Sequence, residues 1–152
     1  MQMTLPNEIL LKEVGSLLAE GREVEMMTKG TSMLPFIVGD RDSVILKKEA
    51  CDSLRPGDIV LARRSPGNYL LHRIVAVAGD RVTLRGDGNV YGTETVDIEN
   101  ILGKVTAVVS SSGRKRVPGN ACLWRNLNPF VRRCFLALYR RTVYKIITKD
   151  EN

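Results

Sequence analysis

The spacing of apolar positions changes twice along this chain. Over residues 7–20, NEILLKEVGSLLAE, the residues Leu10, Leu11, Val14, Leu17 and Leu18 recur at helical intervals. That spacing puts them on one stripe of an amphipathic helix. Asn7 can cap it, and Pro6 cannot easily extend a helix backwards. From 22 to 109 the period shortens. REVEMMTK alternates in part, while SVILKK, DIVLAR, YLLHRIVAV, RVTLR and ILGKVTAVV are rich in Val, Ile and Leu, as strands are. Turn chemistry separates them, in VGDRD, RPGD, SPGN, AGD and GDGN. Short strands so spaced predict a mainly β (α+β) fold, built as a coiled antiparallel sheet or partly open β-barrel with flanking helices.

The helical period returns near the end. SSSGRKRVPGN, residues 110–120, reads as a linker, and NPFVRRCFLALYRRTVYKIIT reads as one helix. Asn128 can cap that helix, with Pro129 at its first position. Val131, Cys134, Phe135, Leu138, Tyr139, Thr142 and Ile146 share one face, with arginines and a lysine on the rest. The expected organisation is a body over 1–109, the linker over 110–120 and a basic helical segment over 121–149.

Charge sharpens that division. Residues 1–109 carry 13 Lys/Arg against 15 Asp/Glu, whereas residues 110–152 carry 10 against 2. The net charge of +6 therefore belongs to the tail. A helix with one apolar and one basic side can pack on the body or on a partner, or lie on anionic lipid. These uses stay open. Nucleic acid is the weaker partner, because no recognition module accompanies the charge.

With 152 residues, 43% of them hydrophobic and 26% charged, the chain suits one globular domain. Cys51, Cys122 and Cys134 are odd in number and contain no C-x-x-C pair. They predict incidental or buried thiols in a reducing compartment rather than disulfides or a zinc site. The start, MQMTLPNEILLKEVG, has no basic opening and no long apolar run, and no later window suits a membrane span. The expected location is the cytoplasm or the inner face of a membrane.

Gly30-Thr31-Ser32-Met33-Leu34-Pro35 is the most informative stretch. A serine in such a loop is ordinarily a turn residue. Met33 can simply pack beneath the loop, and Pro35 can simply fix its φ. The only histidine, His72, lies in the apolar run YLLHRIVAVAG. Gly57-Asp58 and Gly79-Asp80 flank that region, and Gly86-Asp87-Gly88-Asn89 follows. Asp58 and Asp80 suit tight turns, and Arg73 suits a structural role or a solvated charge.

In this order the segments resemble the signal peptidase I superfamily, of the S24/S26 type, whose other branch holds the self-cleaving LexA-type repressors. Ser32-Met33-Leu34-Pro35 matches its S-M-x-P box and Gly57-Asp58-Ile59-Val60 its G-D-[IV]-V box. His72-Arg73-Ile74-Val75 with Gly79-Asp80 matches the third box, and Gly86-Asp87-Gly88-Asn89 is a loosened form of the last. The resemblance covers roughly 28–106, including Gly103-Lys104-Val105. Most bacterial members have a lysine base. Histidine at that position resembles the archaeal and endoplasmic-reticulum type.

The resemblance implies a serine endopeptidase acting on a peptide or protein precursor. Ser32 would be the nucleophile, His72 the general base and acid, and Asp87 the orienting carboxylate, with Asp97 a second candidate. Gly30, Thr31, Met33 and Pro35 would border the substrate and the oxyanion. The family often places a hydroxyl two residues before the serine. Here that position is Gly30, so Thr31 or the backbone must serve. The chemistry is coherent, because a serine needs a base near pH 7 and histidine supplies one without metal or organic cofactor. The chain departs from the family by lacking a spanning helix before the serine, and from the repressors because residues 1–29 are too few for a helix-turn-helix and a cleavable linker. Two other readings remain, an inactive peptide-binding module on the same fold and a membrane-surface protein acting through its basic tail.

Overall fold

The chain's structure, a computed structural model, describes residues 7–149. Helix α1 spans Asn7–Ala19. Strands follow as β1 (Val24–Met27), β2 (Ser43–Lys47), β3 (Ile59–Ser65), β4 (Asn68–Ala78), β5 (Arg81–Arg85), β6 (Glu94–Asp97), β7 (Ile101–Val109) and β8 (Lys115–Arg116). Three helices end the described chain: α2 (Cys122–Asn126), α3 (Pro129–Arg141) and α4 (Val143–Lys149). Pro6 and the Asn7 side chain, expected to start the first helix, lie outside the described residues.

The strands form one open antiparallel sheet in the order β1-β2-β7-β3-β4-β5-β6, with β8 added to β7. It curves without closing into a barrel. Central strand β3 explains how the sheet is held. Ile59 and Leu61 enter one core with Val14, Leu18, Met33 and Val44, while Val60 and Ala62 enter a second with Leu54, Ile74, Leu84 and Val96. Successive side chains of a strand point to opposite faces, so a strand buried on both faces reads as the unbroken apolar run seen here.

Helix α1 closes the first core. Val14 and Leu18 are buried, and Leu11 packs beside them. The seat on β7 is Gly103, where an added Cβ would come within 2.9 Å of Leu18 Cδ1. The sequence-derived stripe is therefore the packing stripe, although Leu10 stays partly exposed.

The C-terminal part differs from expectation in three ways. First, residues 110–120 are not a free linker. They contain β8, and the Gly119 carbonyl accepts a hydrogen bond from Arg73 at 2.8 Å. Second, the single helix is broken. Asn128 does accept a bond from the Phe130 N–H, but α3 ends at Thr142, whose hydroxyl bonds back to the Leu138 carbonyl at 2.7 Å. Such back-bonding competes with continued helix. Third, the helix is rotated from the face its apolar residues suggest. Arg132 and Leu136 are buried, whereas Val131, Cys134, Phe135 and Leu138 are exposed. A third, small core explains the rotation. Leu136 meets Leu34 and Val38, with Val90, Trp124, Tyr139 and Tyr144 around them. Arg132 and Arg140 turn toward the carbonyls of Val90 and Gly88.

The three cysteines are free and exposed, which excludes the buried-thiol reading. Among the described residues no helix is long and apolar enough to cross a membrane.

Leu18→Ala removes the side chain on which α1, β7 and the first core converge. Its expected cost is about 2–5 kcal/mol, read as a lowered midpoint in urea with little change of slope.

Candidate active site

Ser32 lies in a loop that joins β1 to β2 and is fastened at its base. The Thr28 hydroxyl donates to the Asp42 carbonyl at 2.7 Å, and the buried Asp42 carboxylate accepts the Val38 N–H at 2.9 Å. Met33 and Leu34 are buried under the loop, so the bland reading of Met33 holds. Gly30 has φ +79°, a conformation that favours glycine, so no hydroxyl-bearing residue would suit that position without strain. The peptide before Pro35 is cis. Thr31 is exposed, and its carbonyl accepts the Leu34 N–H at 3.3 Å.

The loop after β5 is laid directly on the serine. The Gly88 N–H donates to the Ser32 carbonyl at 2.8 Å. A Cβ on Gly88 would meet the Thr31 carbonyl oxygen at 2.5 Å, so the extra glycine of the Gly-Asp-Gly-Asn turn is what allows the two backbones to touch. Gly86 is equally confined. A Cβ there would collide with the Ser32 carbonyl oxygen and come within 3.2 Å of His72 Nε2. Ser32 and His72, 40 positions apart in sequence, thus adjoin the same glycine.

His72 is buried on β4, beside its β3 partner Val60. Its Nδ1 is 3.2 Å from Glu94 Oε2 at the start of β6. A carboxylate only accepts, so this contact places the proton on Nδ1 and leaves the lone pair on Nε2, the nitrogen beside Gly86. Burial lowers the His72 pKa, while the Glu94 and Asp87 charges oppose that shift without cancelling it. The ring is accordingly neutral at pH 7 and able to accept a proton.

Asp87 is not the residue bonded to His72. Its carboxylate forks with Arg73, which donates from Nε at 2.8 Å to one oxygen and from Nη2 at 2.7 Å to the other. Arg73 is 1% exposed, so it is no solvated charge. Its Nη1 also reaches the carbonyls of Gly57 and Gly119, and its guanidinium lies 5.5 Å from the centre of the Phe36 ring. Geometry explains the difference from expectation. The fork holds both Asp87 oxygens, and Asp87 acts on the imidazole only as a nearby charge. Asp97 lies at the other end of β6 and pairs with Arg81 at 2.6 Å on the surface, away from His72. Glu94 was invisible to motif reasoning. It lies in a polar stretch with Asp97 and Glu99, and only the pairing of β6 with β5 singles it out.

Ser32 and His72 border a cavity of about 910 Å³, lined mostly by apolar side chains including Leu11, Val14, Met26, Met33, Tyr69 and Leu71. Two strands border it with unused edges. β1 pairs only with β2, and the first half of β4 pairs only with β3, since β5 begins pairing at Arg73. Among the described residues no group of His, Cys, Asp and Glu could hold a metal ion.

A family model described as signal peptidase, peptidase S26, matches residues 23–107. The chain belongs to the signal peptidase family S26. The match covers β1 to most of β7 and includes the Ser32 loop, His72, the Arg73–Asp87 pair and Glu94. No curated protein matches the chain. Membership supports a peptidase and, with it, a peptide or protein substrate.

The two carboxylates near His72 should separate on substitution. Asp87→Ala leaves buried Arg73 without its counter-charge and is expected to cost about 3–5 kcal/mol. Glu94→Gln, at a partly exposed site, should leave the unfolding midpoint nearly unchanged. Paired urea titrations of the two variants check this.

Proposed function

We propose that this S26 member is a serine endopeptidase that cleaves a peptide or protein precursor through Ser32, His72 and Glu94. The observation that carries the reading is the two-sided placement of the imidazole, with Nδ1 on Glu94 and Nε2 beside the backbone of Ser32. In the first step Nε2 takes the hydroxyl proton as Ser32 Oγ attacks the scissile carbonyl carbon. Glu94 holds the tautomer and stabilises the imidazolium that forms. The tetrahedral oxyanion takes the Ser32 backbone N–H as donor, with Thr31 the nearby hydroxyl. Collapse expels the amine, which receives the proton from Nε2. Water then repeats the sequence on the acyl-enzyme, with His72 again as base, and releases the acid and free Ser32. No cofactor enters either step.

The substrate lies extended between the free edges of β1 and β4, where main-chain hydrogen bonds are unused. Met26, Tyr69 and Leu71 then face its side chains, which favours an apolar segment next to the cleaved bond. Asp87 acts through the position of its loop and through its charge rather than through a bond to His72.

Cleavage of a diverse peptide mixture, read by mass spectrometry, tests the reading. Wild type should produce cuts that both Ser32→Ala and His72→Ala lose. Equal silence from all three proteins would favour a binding module instead.

The pH profile gives a second test. Because burial holds the His72 pKa below its usual value of about 6.5, the acid limb of kcat/KM should fall below that pH, with full activity at pH 7. Glu94 raises the His72 pKa, so Glu94→Gln should move the limb further toward acid. It should also lower kcat by about 10²–10⁴, because the orienting acceptor is lost. A limb that stays in place in the variant would remove Glu94 from the site.

A further inference from the structure

The outward side of α3 is apolar where a helix on a protein surface ordinarily is not. Phe130, Cys134 and Leu138 follow one another at four-residue intervals, and Val131 lies seven before Leu138, so all four share one stripe. That stripe faces away from the body, because Arg132, Leu136 and Tyr139 occupy the packed side. Phe130 is 69% exposed, Leu138 63% and Val131 47%. Leu123 on α2 is 90% exposed and Ile146 on α4 64%, so the flanking helices also carry exposed apolar side chains.

Charge decides what could cover it. Residues 121–149 contain Arg and Lys but not one Asp or Glu. Arg133 borders the stripe on one side, and Arg141 lies near its C-terminal end. A second copy using the same face would bring like charges together, with no carboxylate in the segment to relieve them. An anionic bilayer fits both features. Its acyl boundary takes the phenyl, leucyl and valyl groups, and long arginine side chains reach from that depth to the phosphates.

We propose that the outward face of α2 to α4 docks this protein on anionic phospholipid bilayers, with Phe130, Val131 and Leu138 inserted and Arg133 and Arg141 at the headgroups. The docked segment is joined to the candidate active site. The Trp124 indole N–H donates to the Asp87 carbonyl at 3.0 Å, and Leu136 packs on Leu34 of the serine loop's core. Docking therefore fixes the groove's orientation to the bilayer. The inference does not rest on the peptidase reading, since it concerns a different surface.

Sedimentation with vesicles tests it. Full-length protein is mixed with vesicles of phosphatidylcholine alone, or of phosphatidylcholine with phosphatidylglycerol. Wild type and Ser32→Ala should partition equally, and about tenfold or more in favour of the anionic vesicles at low salt. The double variant Phe130→Ser/Leu138→Ser should lose about tenfold in binding, with its thermal midpoint unchanged because both side chains are exposed. Arg133→Glu/Arg141→Glu should lose the anionic preference even if the first variant folds poorly. Absence of binding to both vesicle types would overturn the proposal. So would anionic binding that survives both double variants. A dimer in sedimentation velocity that Phe130→Ser/Leu138→Ser dissolves, without vesicle binding, would assign the face to a second copy.

Discussion

The buried pair of Arg73 and Asp87 is the constraint on which the arrangement of the site depends. One guanidinium ties four pieces of chain that are remote in sequence: the turn at Gly57, the loop at Asp87, the segment at Gly119 and the ring of Phe36. Two of those pieces bear on the loop that carries Ser32. The Asp87 loop supports the Ser32 carbonyl through Gly88, and Phe36 belongs to the Ser32 loop itself. Two charges withdrawn from water are costly unless each is matched in geometry and hydrogen bonding. Here both carboxylate oxygens receive Arg73 donors, and Nη1 is taken by two carbonyls. The pair's value lies less in net stability than in permitting one arrangement of the loops. Another arrangement would leave a charge buried alone.

That division of labour resolves the two carboxylates near the imidazole. One is sequestered by an arginine and fixes the loop. The other, Glu94, is partly open and meets Nδ1. A carboxylate already forked to arginine is a weaker acceptor for a third partner, so the two tasks are better served by two residues. Their combined charge limits, without abolishing, the fall in the His72 pKa that burial imposes.

Most of the sheet could be read from the chain because its signals are local. Turn residues and runs of Val, Ile and Leu mark β2 to β5 and β7, and each box of the family resemblance is a few adjacent residues. Ser32 and His72, proposed as nucleophile and base, stand out for the same reason. Glu94 was not, since nothing within its own neighbourhood distinguishes it from Asp97 or Glu99. Its position depends on β6 folding back on β5 so that Glu94 pairs with Leu84. For the C-terminal helix the chain alone left packing and lipid both open. Its apolar residues define a face, and the usual inference is that such a face is buried. The body instead offers carbonyls at Gly88 and Val90. Arg132 and Arg140 reach those acceptors while Leu136 packs on Leu34 and Val38, so this small core sets the helix rather than its wider apolar face.

The unused strand edges complete the picture. A free edge invites pairing with other chains, and natural sheets normally shorten, charge or cover it. β1 is only four residues long and carries exposed Glu25, which limits that hazard. The early part of β4 is different. It lies in the interior of the sheet order, yet β5 leaves it unpaired from Asn68 to His72. The cause is visible in the register. β5 is five residues against the eleven of β4, and the chain departs at Gly86 to lie on Ser32. The same departure that brings the glycine loop to the serine therefore exposes the strand edge leading to the histidine. Groove and Ser32–Gly88 contact arise from one event in the topology, so a change that lengthened β5 past Arg85 would close the groove as it displaced the loop.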